Sequence, residues 1–208
     1  LVSGYRCAAS PGWGRPFHSL GITAITMAIH PPYRVFYSLS IGFCIESAAR
    51  SIEALAEVMQ QVDQARSWKP LYEADPEAVL NEIQNIVVQG AAVSRYFWPV
   101  REKYAARGAE LRNTYGIQDN SPLRSRDLRN AIEHFDERLD EYLSQGIVGH
   151  IRPHYIGPEP EKDGVPQHFF RAYFVESGVF QILDQRIQLD PISRELWRLG
   201  GGKFDDEI

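Results

Sequence analysis

The chain has 208 residues, 44% hydrophobic and 24% charged, a balance that excludes a disordered polyelectrolyte and suits one folded domain with an extension or two small ones. A net charge of −5 excludes a broad basic surface that holds nucleic acid by charge alone, and leaves room for a local phosphate site. The two cysteines, Cys7 and Cys44, make neither a disulfide framework nor a metal-ligand spacing, so a reducing, cytoplasmic setting is expected.

Residues 1–29 are rich in Gly, Pro and Ser, carry no acidic residue and have no clear period. They are expected to form a disordered N-terminal tail, with Met27 read as the true start. The most apolar run, "VFYSLSIGFCIESAA", is interrupted by serines and meets Glu46 well short of the ~18 residues a membrane span needs. From Pro32 the pattern turns helical, with Leu39, Phe43, Ile52, Leu55 and Met59 assigned to one face and an end near Arg66. Asp75 before Pro76 is an N-cap with proline at the first helical position. The helix that follows carries Leu80, Ile83, Val87, Ala91, Ser94 and Phe97 at three- and four-residue steps. Further apolar residues widen that face until burial on most sides is expected, and Gly90, Ala91 and Ala92 let a neighbour come close. Trp98-Pro99 ends it. "VREKYAARGAELRNTYG" predicts a third, more exposed helix stopped by Gly116. A fourth is predicted from about Pro122 to Gln145, stopped by Gly146.

Four helices joined by short loops predict a mainly α fold, an antiparallel four-helix bundle over residues 30–146. Phe43, Ile52, Ile83, Val87, Ile132, Phe135 and Leu139 are expected in its core. Residues 147–208 form a C-terminal extension. It starts with a proline-rich connection through "IVGHIRPHYIGPEPEKDGVPQ". A β-hairpin follows, 168–175 against 179–189 across Glu176-Ser177-Gly178, and then a short helix capped by Asp190-Pro191. A lone hairpin is marginal, so it is expected to lie against the helices or pair with another chain.

The fourth helix carries the chemistry. With Leu128 at zero and about 100° per residue, Leu128, Ile132, Phe135, Leu139, Tyr142 and Leu143 make an apolar stripe. Arg126, Asn130 and His134 recur every four residues on the other side, and Arg129 lies at the border. A solvated face is the bland account of them, since Arg129 and Glu133 make an ordinary i, i+4 pair. The tripeptide is also cheap: Leu111-Arg112-Asn113 repeats it with no histidine after it. The functional account uses the whole set. A guanidinium grips a phosphate with paired donors, an imidazole moves a proton near neutral pH, and an amide orients either.

Arg129, Asn130 and His134, an arginine and a polar residue followed by histidine after four intervening residues in all, resemble the motif of HEPN domains. The resemblance covers about residues 30–146. It implies a metal-independent endoribonuclease of the toxin or antiviral kind, without cofactor, that leaves a 2′,3′-cyclic phosphate. His134 would be the general base or acid, Arg129 the phosphate holder, Asn130 the orienting residue and Arg126 an RNA contact. It also implies a homodimer with a composite site, and a nucleotidyltransferase-like antitoxin as a partner. The alternative is a non-catalytic helical protein that uses the same face for a partner or ligand.

Other candidates are weaker. His150 and His154 in "HIRPH" lack a third ligand nearby and read as loop histidines. No G-x-S-x-G elbow is present, and "GGGK" follows no strand and opens no helix. Phe169, Phe170, Tyr173, Phe174 and Trp197 can stack on bases, but packing is their expected use.

Overall fold

The computed structural model describes residues 28–130, 135–161 and 164–202. The expectations for residues 1–27, Ile132 and His134 therefore fall outside the described residues. The described chain is mainly helical, with one small four-stranded sheet.

Helix α1 (Arg34–Ala65) follows a 3-10 turn at Pro31–Tyr33 and stops where Arg66 turns left-handed, at φ 48°. A single turn, α2 (Lys69–Glu73), leads to α3 (Pro76–Phe97). The Asp75 carboxylate accepts the Glu77 N–H at 3.0 Å, as its cap position predicts. Helix α3 is the centre of the molecule, with ten residues from Val79 to Phe97 buried on nearly every side. It runs antiparallel to α1: the Tyr37 ring meets Tyr96 at one end, and Ser51 meets Glu82 towards the other. Between them lies a polar seam. The Asn85 amide donates to the Ser47 carbonyl and to both the Ser47 and Ser51 hydroxyls, and accepts from Gln89. Buried hydrogen-bonded polar groups of this kind fix the register of two helices that apolar contacts alone would let slide.

The face assigned to α1 needs correction. Ile41, Ile45 and Ala48 enter the core, whereas Leu39 and Phe43 are each about two-thirds exposed, at 66% and 67%. Ile29, placed in the tail by sequence, is buried, and its N–H donates to the Glu110 carboxylate.

Helix α4 (Ala105–Tyr115) is preceded by a 3-10 turn at Glu102–Tyr104 and ends on Gly116, left-handed at φ 63° as expected. The helix predicted to start at Pro122 starts later. Pro122–Arg124 is a separate 3-10 turn, Ser125 is extended at ψ 135°, and α5 runs Arg126–Asn130. The cause is local: the Ser125 hydroxyl accepts from the N–H groups of Asp127 and Leu128 and so sets a new start. Helix α6 (Phe135–Ser144) has no fully buried residue. It is tied to the sheet by Phe135 edge-on to Phe170 and by the Tyr142 hydroxyl, 2.7 Å from His168 Nδ1.

The stretch read as a proline-rich connection contains a strand, β1 (His150–Gly157), parallel to β2 (Gln167–Phe174). The hairpin is present, with β2 antiparallel to β3 (Val179–Ile182). Its second strand is shorter than predicted because Leu183, at φ 53°, turns the chain into a second hairpin with β4 (Gln185–Gln188). The sheet order is β1-β2-β3-β4. Tyr173, Phe180, Ile182 and Ile187 face the helices, while Phe169, Ala172, Phe174 and Val179 form a smaller cluster with Tyr155.

Helix α7 (Leu189–Leu199) begins at Leu189 rather than after an Asp190 cap; the Asp190 carboxylate accepts from Arg194 instead. Its Ile192 and Leu196 join the core of α1 and α3, so the C-terminal segment shares one core with the helices before it. Ile192 packs over Gly90, where a Cβ would lie 3.1 Å from its methyl, the close approach that Gly90 allows. On the same helix Glu195 accepts from Ser121 and Arg198. Burial raises its pKa, but the bonds from Arg198 and Ser121 outweigh that and hold the carboxyl below its ordinary value. A depressed folded pKa adds stability that is complete above about pH 4.3 and is lost as pH falls through the folded value. Glu195→Gln is therefore expected to flatten the acid limb of stability against pH, read as urea midpoints. An unchanged limb would remove Glu195 from the account.

Candidate functional site

The site is built at the C-terminal end of α3. Pro99 disfavours helical backbone at Trp98, which leaves the helix at φ −126° and ψ 76°. Helix ends leave carbonyls without partners at the negative end of the dipole. Three guanidinium groups answer them. Arg107 donates to the Arg95 carbonyl at 3.2 Å, Arg112 to that of Phe97 at 2.5 Å, and Arg129 to that of Trp98 at 3.3 Å. Arg107 also sits over the rings of Tyr37 and Tyr104, and Arg112 over Trp98.

The two copies of Leu-Arg-Asn thus do the same structural work. Leu111 and Leu128 are both buried, Arg112 and Arg129 both cap α3, and Asn113 and Asn130 are both exposed. What separates them is the surrounding surface. Leu128, beside Gly90, pins α5 against α3. Arg126, Arg129 and Asn130 then line one cleft of about 800 Å³, with Arg95, Arg124, Trp98, Pro99 and Val100 as the remaining walls. Among the described residues its lining holds four guanidinium groups and no carboxylate. Arg124 is half committed, since it donates to the Asp119 carbonyl and lies 3.9 Å from the Asp119 carboxylate. Arg126 is exposed and has no ion pair among the described residues. Positive groups gathered in a concave, partly desolvated surface attract phosphate more strongly than the same charges spread out. That holds here although the whole chain is acidic.

The structure therefore brings together Arg126, Arg129 and Asn130 as read from the sequence, while His134 lies outside the described residues. Sequence reading missed Arg95, Arg124 and Trp98. Arg124 had a visible signal, the run "RSRDLR" with three arginines in six positions. Arg95 and Trp98 arrive through the packing of α3 and left no local trace.

The histidines at 150 and 154 lie on β1, not in a loop, and His154 Nε2 is 3.3 Å from the Glu77 carboxylate. Among the described residues no group of three His, Cys, Asp or Glu could hold a metal ion, and no helix is long and apolar enough to cross a membrane. Phe169 and Phe174 are buried in the sheet's outer cluster, which takes them out of base stacking. No family model, curated protein or solved structure matches the chain, so the reading of the site rests on its own geometry.

Proposed function

We propose that the arginine cleft binds the phosphates of RNA and that the protein is a metal-independent endoribonuclease of HEPN type. The observation that carries this is the convergence of Arg126, Arg129 and Asn130 with Arg95 and Arg124 on one cleft whose described lining holds no carboxylate. In this reading α1, α3, α4 and the α5–α6 region are the four helices of an antiparallel bundle. The ribose 2′-oxygen attacks the adjacent phosphorus, the bond from phosphorus to the 5′-oxygen breaks, and a 2′,3′-cyclic phosphate remains. His134 takes the hydroxyl proton or returns one to the leaving oxygen. Arg129 meets the negative charge that builds on the phosphate oxygens, Asn130 orients, and Arg126 holds the flanking phosphate. Two copies complete the site, and the activity belongs to a toxin or antiviral system, with a nucleotidyltransferase-like antitoxin as a partner.

The test is purified full-length chain with a mixed RNA pool, wild type beside His134→Ala, each with and without a chelator. Cleavage by the wild type in both conditions, cyclic phosphate ends and a silent variant are expected. A second reading has its own observation in its favour: Arg112 and Arg129 cap α3 alike, which is enough to account for an arginine at 129 without catalysis. Wild type that binds RNA or another polyanion at this cleft without cutting it would give that reading the site. Equal cleavage by His134→Ala would place the chemistry elsewhere.

A further inference from the structure

Helix α1 has two apolar faces. One, through Ile41, Ile45 and Ala48, enters the core. Val35, Phe36, Leu39 and Phe43 lie at about 100° per residue on a second stripe, roughly opposite the first, and are 53–67% exposed. Tyr33, in the turn before, is 59% exposed. Past Phe43 the same stripe becomes charged, through Glu46, Arg50, Glu53 and Glu57. The apolar part is therefore a bounded patch three turns long, and not a general feature of the helix. Scattered exposed apolar residues need no explanation, but a contiguous patch rimmed by charge marks a contact surface.

We propose that this stripe is the contact between two copies of the chain, with α1 crossing α1 antiparallel about a two-fold axis near Leu39. Area is the first argument. With whole aromatic side chains of about 150–250 Å², the five exposed residues offer roughly 600 Å² per copy. A pair would then bury about 1,200 Å², the lower edge of stable interfaces. Self-complementarity is the second. A two-fold contact uses one patch on both partners. Centred on Leu39, it sets Phe43 of one copy level with Val35 and Phe36 of the other. It also sets Glu46 level with the Tyr33 hydroxyl, which can donate to it. Ile29 and Arg34 are both held by Glu110 of α4, which places these two residues on the core side of α1 and off the stripe. The contact shares no residue with the cleft, so it is a second contact beside the pairing that completes the ribonuclease site, and it does not depend on the cleavage reading.

Phe36 and Phe43 make no core packing, so charge can be placed there without unfolding the chain. The test is light scattering and sedimentation of the full chain over a wide concentration range. A dimer is expected for the wild type. The double variant Phe36→Asp, Phe43→Asp should raise its dissociation constant more than about 100-fold. The thermal midpoint of that variant, measured where both proteins are monomeric, should be unchanged. With Cys7 and Cys44 replaced by serine, Leu39→Cys should give a disulfide-linked pair on mild oxidation, and Gln61→Cys, far along the helix, should not. Wild type monomeric throughout, or a dimer that the aspartates leave intact, would overturn the proposal. A dimer left intact by the aspartates would overturn this contact and leave the paired ribonuclease site standing, and a wild type silent on RNA would overturn that site and leave this contact standing, so the two failures remain distinguishable.

Discussion

Arg129→Ala is expected to lose about 100-fold or more in RNA cleavage, while Arg112→Ala, its structural twin, is expected to keep it. Both side chains donate to the carbonyls that end α3, at Trp98 and Phe97. A hydrogen bond from a charged group is worth about 1.5–3 kcal/mol, so both variants should unfold at lower denaturant. Only Arg129 also lines the cleft with Arg95, Arg124 and Arg126. Losing one preorganised donor to the charge of a transition state typically costs about 10²–10³ in rate. Arg126→Ala adds a third arm. Its side chain is exposed and makes no ion pair among the described residues, so stability should not change. RNA affinity should fall, and the slope of log affinity on log salt should shrink by about one. Similar activity losses in Arg129→Ala and Arg112→Ala would mean that both arginines act only by holding the end of α3.

Gly108→Val is expected to be among the most damaging surface-helix changes, at about 1–3 kcal/mol. A Cβ at Gly108 would lie 2.6 Å from the Phe97 carbonyl oxygen and 2.6 Å from Pro99 Cδ, atoms that cannot swing aside. Helix α4 would have to back away from the turn at Phe97–Pro99, and Arg107 and Arg112 would move with it. Because Trp98 and Pro99 wall the cleft, RNA affinity should fall as well as stability. Urea midpoints and a binding isotherm measure the two effects. A variant with the wild-type midpoint would mean that α4 does not press on this turn.

Helix α3 was legible because its burial is nearly uniform and its start has a proper cap. Helix α1 was harder for a physical reason: it is amphipathic twice over. A helical period locates an apolar stripe but does not say whether the chain's own core covers it, so Leu39 and Phe43 read as core beside Ile52. Strand β1 left almost no pattern. Its first residues are exposed on both faces, and Pro153 interrupts it, as an edge strand tolerates. The turn between β3 and β4 was hidden because Leu183 holds a left-handed conformation that glycine or asparagine usually signals. At the cleft, Arg126, Arg129 and Asn130 were legible since one short helix carries them all. Arg95 and Trp98 were not, because only the packing of α5 on α3 brings them near.

The seating of α7 between α1 and α3 has a consequence for synthesis. Leu189 follows Phe97 by 92 positions. At about 5–20 residues per second, α3 is made roughly 5–20 seconds before the helix that closes over Gly90. Throughout that interval Gly90 lies in a groove without its lid, on a nascent chain that cannot yet reach its final packing. A ribosome that stalls in the sheet would leave a product with most of its helices formed and its central one uncovered, a marked substrate for chaperones and proteases.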